Sequence, residues 1–350
     1  MPRMTEPPVP RRIFVFDHPR TVSQMFHRLF ANHEELENIF HPFIGASMYG
    51  PERIQLTLKH CSVAEDAQED LALNAHMERE TYQVAAQRLT ESIATAEKKG
   101  KIAFVKDHCL CLLKHNNFRD KTPDSFYEKP NSMLSGRMSN PTWIPDDLYT
   151  SLSPLILIRH PARMIPSFYR TQADVLKLQT ADEDFAIYTS FRWLRIIFDS
   201  YREFYSENDD LVPPYSSCST IDGTKEKPIW PLVIDAEDVV YSTQAIVSKL
   251  CDIWHIDSSG VQYSWKATPK EERPKDKIMC GFFDTLLSST GVIQGNKRDD
   301  RSLDIDEETV KWRAEFGEQV AADLRRFAIA AMPDYEYLRQ FCLCAARGYT

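Results

Sequence analysis

Three short apolar runs in this sequence each end in a turn that carries a cation. The cations are Arg20, Lys106 and Arg159, and each run contains four consecutive apolar residues. Such runs are typical of buried parallel strands, and open α/β sheets bind ligands beyond the carboxyl ends of their strands. Helices that begin there present free N–H groups and the positive end of their dipole. The pattern therefore predicts one site for a polyanionic ligand.

The segment 19–24 has the residue types of a phosphate-binding turn. Pro19 opens the turn, Arg20 supplies a cation, and Thr21 and Ser23 supply hydroxyls at the start of a predicted helix. Backbone N–H groups in such a turn can cradle a phosphate. Both glycines of a Walker loop are missing, so the segment does not indicate nucleoside triphosphate hydrolysis. An ordinary helix N-terminus with an incidental arginine is the alternative interpretation.

A second pair of anion-binding candidates follows the run 155–158. Arg159 stands at the strand end, and Ser167 follows eight residues later within the next predicted helix. A phosphate could bridge them, because the planar guanidinium can bind two phosphate oxygens at once. The alternative is that Arg159 pairs with a nearby carboxylate and Ser167 is a surface hydroxyl.

Lys106 and His108 alternate at the end of the run 102–105, so their side chains should point to the same side. A histidine with an ordinary pKa near ~6.5 can accept a proton from an alcohol at neutral pH. A lysine ammonium can neutralise charge on a leaving phosphate. The pair therefore predicts an acid–base centre, and a purely structural histidine is the alternative.

In order and internal spacing, these segments resemble the sulfotransferase family, which uses 3′-phosphoadenosine 5′-phosphosulfate (PAPS). Segment 17–24 resembles the family's 5′-phosphosulfate loop: Arg20, Thr21 and Ser23 match, Val22 takes the place of a glycine, and Gln24 that of a second hydroxyl.

Two further segments continue the resemblance. Segment 157–170 is similar to the 3′-phosphate motif through Arg159 and Ser167, and segment 104–108 resembles the strand end that carries the catalytic histidine and its lysine. Segment 295–301, with Lys297, Arg298 and Arg301, is a loose candidate for a late basic loop of the family.

The resemblance implies transfer of a sulfuryl group from PAPS to a hydroxyl or amine of a small, largely apolar acceptor, without a metal. His108 would be the general base and Lys106 would contact the bridging oxygen. Arg20, Thr21, Ser23 and Gln24 would bind the 5′-phosphosulfate, and Arg159 and Ser167 the 3′-phosphate. Similar divergent members occur in fungal natural-product pathways, which implies a role in secondary metabolism.

Two alternatives stay open. An enzyme on the same fold could have lost PAPS and act as a lyase, cyclase or isomerase with His108 and Lys106 as its acid–base pair. Val22 and Gln24 motivate this alternative, since a β-branched residue hinders close approach of the backbone to phosphate. A noncatalytic binding protein is the other alternative, and it predicts a crevice filled by side chains.

Apolar runs that alternate with helical patterns predict an α/β fold: a doubly wound, mostly parallel sheet flanked by helices, P-loop NTPase-like, with a helical C-terminal tail. Predicted strands are 13–16, 102–105, 155–158 and 232–235. Predicted helices follow Thr21 and Pro161 and cover 76–99, 182–205, 243–254 and 306–346, the last interrupted at Pro333. We expect 1–11 to be a flexible arm, 12–350 one domain, and 116–154 a lid or acceptor-pocket segment.

Composition bounds the function classes. The 350 residues are 43% hydrophobic and 27% charged, enough for a full core. A net charge of −9 argues against a protein that coats nucleic acid. No apolar run approaches the ~18 residues of a membrane span, and no signal-peptide pattern opens the chain. Eight cysteines without metal-site spacing suggest reduced thiols. We therefore expect a cytoplasmic enzyme with a small-molecule partner and neither a nucleic-acid nor a membrane partner.

Overall fold

Parallel strands form the central sheet of the computed structural model, which describes residues 12–53, 79–117, 140–175, 178–208, 229–275, 277–293 and 303–343. The strands in this part of the chain are β1 (Arg12–Asp17), β2 (Leu36–Phe40), β3 (Ile102–His108), β4 (Ser153–Ile158) and β5 (Leu232–Asp235).

The strand order is β2-β3-β1-β4-β5, and every pairing is parallel. All five carboxyl ends therefore lie at one edge of the sheet. Helices flank the sheet, and the C-terminal region is helical. The predicted doubly wound α/β fold is confirmed, and the order is consistent with a P-loop-like arrangement.

The helices lie in the connections between the strands and in the C-terminal region. They are α1 (Ser23–Phe30), α2 (Ile44–Met48), α3 (Tyr82–Lys98), α4 (Cys109–Leu112), α5 (Asp146–Thr150), α6 (Pro161–Val175), α7 (Glu183–Thr189), α8 (Arg192–Glu207), α9 (Ala236–Tyr241), α10 (Thr243–Trp254), α11 (Lys277–Ser288), α12 (Ile305–Phe316) and α13 (Glu318–Arg339). No helix in the described ranges is both long and apolar enough to cross a membrane.

The central strands owe their burial to the apolar runs. β1 lies between β3 and β4, and its residues Phe14, Val15 and Phe16 have no exposed surface. Such strands are covered on both faces, so their sequence reads as a continuous apolar run. β2 was not predicted because it is an edge strand of half-buried residues, with Glu37 and Asn38 interrupting its apolar pattern.

Several predicted helix boundaries were wrong. α3 begins at Tyr82, not at residue 76, because Thr81 accepts a hydrogen bond from the Val84 N–H and caps the helix. The predicted helix 182–205 is two helices, which separate at Ser190. The C-terminal tail breaks at Gly317, whose φ of 87° suits glycine, whereas Pro333 lies inside α13.

Some predictions fall outside the described residues. These are the arm 1–11, residues 76–78, most of the lid segment (118–139) and the basic loop 295–301 with Lys297, Arg298 and Arg301. The described remainder of the lid segment is 116–117 and 140–154, and the second part contains α5 and the start of β4.

Candidate active site

A cavity of 460 Å³ opens at the carboxyl edge of the sheet. It lies beyond the ends of β1, β3 and β4, and side chains of α11 form part of its wall. Six of the eight predicted site residues line it: Arg20, Ser23, Gln24, His108, Arg159 and Ser167. Among the described residues no side chain fills this volume, whereas a noncatalytic binding protein predicts a filled crevice.

Two arginines from distant segments meet at one end of this cavity. Arg20 Nε donates to Ser167 Oγ at 3.2 Å, and Arg159 Nη1 donates to the Arg20 carbonyl oxygen at 2.9 Å. Arg20 Nη1 also donates to the Phe282 carbonyl oxygen of α11 at 3.0 Å. We call Arg20, Arg159 and Ser167 the anion corner. The strand-end cations at 20 and 159 thus come together as the sequence pattern predicts.

The anion corner is positively charged. Burial, together with the neighbouring charges of Arg159 and Arg170, lowers the pKa of Arg20 to about 10, so the group stays protonated at neutral pH. Burial also lowers the pKa of Arg159, which the Glu237 carboxylate opposes. Two half-buried cations beside one carboxylate favour a bound anion.

The turn before α1 holds two non-glycine residues in left-handed backbone conformations. Arg20 has a φ of 69° and Val22 a φ of 65°. This region is unusual for a β-branched residue and costs about 1–3 kcal/mol. Val22 thus adopts the conformation that glycine adopts freely at the matching position of the family loop.

The N-terminus of α1 has free donors at the cavity wall. Its first helical hydrogen bond runs from the Phe26 N–H to the Val22 carbonyl at 3.0 Å, and within the described ranges no side chain caps the helix. The N–H groups of Ser23, Gln24 and Met25 precede that bond and so have no partner within the helix. All three residues line the cavity, where such donors suit a phosphate.

His108 stands beside the buried carboxylate of Asp17. His108 Nδ1 makes a short hydrogen bond to Asp17 Oδ1, and the two residues are register partners on β3 and β1. The His108 side chain is 15% exposed and lines the cavity. Burial, together with the charges of Lys106 and His41, lowers the pKa of His108 well below 6.5. The imidazole is therefore neutral at neutral pH and can accept a proton.

Lys106 lies behind this histidine, not on the cavity surface. Its side chain is fully buried, with Nζ 3.3 Å from Asp17 Oδ2 and 2.9 Å from His41 Nε2. The prediction that Lys106 and His108 face one reacting centre does not match this geometry. Both do lie on the same side of β3, but Lys106 is two residues further into the sheet, below the rings of His41 and His108, whose centroids are 4.6 Å apart.

His41 completes a buried network that the sequence analysis missed. His41 Nδ1 donates to Asp107 Oδ1 at 2.9 Å, and Asp107 also accepts from the backbone N–H groups of Phe43 and His108, each at 2.8 Å. Burial lowers the pKa of His41, and the Lys106 charge lowers it further. We call Asp17, His41, Lys106, Asp107 and His108 the imidazole network.

Two predicted binding residues have local partners. The buried Thr21 hydroxyl donates to the His18 carbonyl at 2.7 Å and does not line the cavity, so it shapes the turn. Gln24 lines the cavity and places Nε2 3.4 Å from His41 Nε2. For the Thr21 hydroxyl to donate to a ligand, its hydrogen bond to the His18 carbonyl would have to break.

Signals for the missed residues exist in the sequence. Asp17 is the last residue of β1 and His108 the last residue of β3, so a parallel pairing of the two strands places them side by side. Glu237 follows the last strand in the same way and lies 3.7 Å from Arg159. His41 had no such signal, because its strand was not predicted.

Comparisons with known proteins agree with the sequence resemblance. No family model matches the chain. Sulfotransferase ppzF of Metarhizium majus is 27% identical over 342 residues, which cover 94% of this chain and 96% of that protein. Sulfotransferase ppzF of Metarhizium rileyi is 26% identical over 356 residues, which cover 98% and 99%.

One solved structure, the sulfotransferase domain of the Synechococcus PCC 7002 olefin synthase, is 13% identical, covers 93% of this chain and 96% of its own, and has a TM-score of 0.38. At that score the likeness carries no weight. The near-full-length similarity to the two fungal proteins supports a divergent sulfotransferase family for this chain.

Proposed function

We propose that this protein transfers a sulfuryl group from PAPS to a hydroxyl or amine of a small, largely apolar acceptor. The observation that carries the proposal is the presence of an anion corner and a neutral, carboxylate-bound histidine in one cavity. Both would be needed, because the donor is a polyanion and the acceptor must lose a proton.

The residues of the anion corner fit a bisphosphorylated nucleotide. Arg159 Nε has no hydrogen-bond partner in the described part of the chain, with Glu237 Oε1 at 3.7 Å. Arg159 and Ser167 would hold the 3′-phosphate. Arg20, Ser23, Gln24 and the free N–H groups of α1 would hold the 5′-phosphosulfate, while the Thr21 hydroxyl fixes the turn.

When bound, PAPS would supply the sulfuryl group, which passes to the acceptor oxygen or nitrogen as its S–O bond to the 5′-phosphate breaks. His108 Nε2 would take the acceptor's proton, a contribution worth about 10²–10⁴ in rate. Arg20 would stabilise charge on the leaving phosphate in place of Lys106, which the sheet buries. Positioning in the cavity would supply the remaining acceleration.

The cavity wall supports an apolar acceptor. Its apolar and aromatic lining includes residues of α1, α2, α4, α6, α7, α9 and α11, of the turn before α1 and of the segment after α11. Among these residues are Val22, Met25, Ile44, Met48, Leu110, Phe168, Tyr188, Val240, Tyr241, Met279, Phe282, Phe283, Leu286 and Ile293. A largely apolar wall with a few polar groups is typical of small-molecule sites. We assign the acceptor to a small molecule of secondary metabolism.

Titration with 3′-phosphoadenosine 5′-phosphate tests the donor site. We expect micromolar binding by calorimetry and a loss of about 10–100-fold in affinity for Arg159→Ala, since a hydrogen bond to a charged group contributes about 1.5–3 kcal/mol. The control Arg163→Ala removes an exposed arginine one turn along α6 that does not line the cavity, and it should bind as tightly as the wild type. His108→Ala should bind the nucleotide normally and lose transfer. No detectable binding by the wild type would contradict the proposal.

An acid–base enzyme without PAPS is the second candidate. The withdrawal of Lys106 and Thr21 from the cavity surface favours it, because two contacts that the family resemblance implies are used inside the protein. Such a lyase, cyclase or isomerase would depend on His108 yet ignore the nucleotide. The same titration separates the two candidates.

A further inference from the structure

The two carboxylate oxygens of Asp17 contact two different side chains, Oδ1 through a hydrogen bond and Oδ2 through an ion pair. Oδ1 faces His108 Nδ1, and Oδ2 lies 3.3 Å from Lys106 Nζ. The side chains of Asp17 and Lys106 are completely buried, so bulk water does not compete for these contacts. Hydrogen bonds in such an environment are stronger than in water.

With Lys106 as an ammonium and Asp17 as a carboxylate, which is the ion pair that their 3.3 Å contact favours, this trio has one arrangement of protons. An ammonium group only donates, and an ionised carboxylate only accepts. Because the Lys106 ammonium forms an ion pair with Oδ2 and the ionised Oδ1 can only accept, the proton between His108 and Asp17 belongs to His108 Nδ1. The lone pair of the neutral imidazole is then on Nε2, the nitrogen away from Asp17.

We propose that Asp17 is a positioning residue that holds His108 in its Nδ1–H tautomer, and that Lys106 enforces this by occupying the second oxygen of Asp17. The inference rests on the proposed function for its purpose, which is to keep Nε2 of His108 ready for the acceptor's proton. Carboxylates fix imidazole tautomers in the same way in hydrolytic triads.

The sheet makes this arrangement rigid. Asp17 and His108 are register partners on adjacent parallel strands, and Lys106 pairs in register with Val15. Backbone hydrogen bonds of the ladder therefore set the spacing of all three side chains. His41 binds the Lys106 ammonium at 2.9 Å from the other side and limits its movement.

Asp17→Asn should reverse the tautomer. Lys106 still requires an acceptor, so the amide oxygen turns toward it and the amide N–H₂ faces His108 Nδ1. His108 must then accept at Nδ1 and carry its proton on Nε2. We expect kcat to fall by about 10²-fold or more at neutral pH, while the nucleotide dissociation constant stays within a factor of about two.

The double variant Asp17→Asn/Lys106→Met provides the sharper test. Without the lysine, the amide can rotate and present its oxygen to His108 Nδ1, which restores the original tautomer. The double variant should therefore recover at least ten-fold of the activity lost in Asp17→Asn. A merely structural role for Asp17 predicts the opposite, because a second buried change would make the variant worse.

The readout that does not need activity is ¹⁵N NMR of histidine-labelled protein. The sequence has ten histidines, and His108→Gln identifies the signal of interest. We expect a protonated Nδ1 in the wild type, a protonated Nε2 in Asp17→Asn, and a protonated Nδ1 again in the double variant. The control Asp235→Asn changes another buried strand-end carboxylate, bonded to Tyr335, and should leave the His108 signal unmoved.

The outcomes separate this inference from the proposed function. A protonated Nε2 in the wild type overturns the inference, even if the Asp17 variants do not fold. An unchanged tautomer in folded Asp17→Asn also overturns it. The expected tautomers in a protein that binds no nucleotide would support the inference and contradict the proposed function.

Discussion

The anion corner and the imidazole network lie in one cavity wall but satisfy their polar groups differently. In the anion corner, Arg159 Nε lacks a hydrogen-bond partner among the described residues, and the backbone before α1 is strained at Val22. In the imidazole network, Lys106 is bound to Asp17 and His41 and fully buried. The comparison shows that the anion corner still has a hydrogen-bond donor for a ligand. The imidazole network instead uses its charged groups to set the tautomer of His108.

Lys106→Met should have the largest effect on stability, because it removes the buried cation of the imidazole network. It leaves the Asp17 carboxylate buried without its cation, which should lower the free energy of unfolding by about 3–5 kcal/mol. Arg170→Met is the matched control, because it removes a cation from an exposed pair with Glu315 and should cost about 0–1 kcal/mol. Urea denaturation of both variants measures the two values. Equal, small losses of unfolding free energy in the two variants would show that the buried Asp17–Lys106 pair stabilises the fold no more than the exposed pair does.

The pH dependence of kcat/KM tests the imidazole network through the pKa of His108, and the expected effect is smaller than that of Lys106→Met. The neutral form of His108 is the active base, and its pKa is held well below 6.5 by burial and by the charges of Lys106 and His41. Protonation inactivates the base, so activity should stay constant as pH falls through 6.5 and decline only at lower pH. A decline of the wild-type kcat/KM centred near pH 6.5 would contradict the assigned environment of His108.

Val22→Gly should have the smallest effect, and it tests the strained turn before α1. Glycine relieves the left-handed strain but loses the partly buried valine side chain, so the two contributions oppose each other. We expect the free energy of unfolding to change by less than about 1 kcal/mol and the nucleotide dissociation constant by less than about three-fold. A ten-fold loss of nucleotide affinity would show that the turn depends on the valine side chain and not on its backbone conformation.

Much of the fold could be predicted from the sequence because its central strands are continuously apolar. β1, β3, β4 and β5 match predicted runs, while the edge strand β2 has no such pattern. The helix breaks at Ser190 and Gly317 were missed for a different reason. They depend on local capping and backbone conformation, which apolar periodicity does not report.

The site could be predicted only in part. Strand-end positions placed Arg20, Arg159 and His108 in one cavity, since parallel strands bring their carboxyl ends to one edge. Side-chain alternation also placed Lys106 on the same side as His108, but alternation does not indicate how deeply a side chain is buried. The partner that buries Lys106 from above, His41, follows the strand that escaped prediction.

The hydrogen bond from Arg20 to the Phe282 carbonyl ties the roof of the cavity to its floor. The same guanidinium faces the place assigned to the donor's phosphates, and a donor group spent on a ligand is withdrawn from the peptide carbonyl. A phosphate bound as proposed would compete with the Phe282 carbonyl for this guanidinium, and α11 would then lose one of its links to the turn before α1.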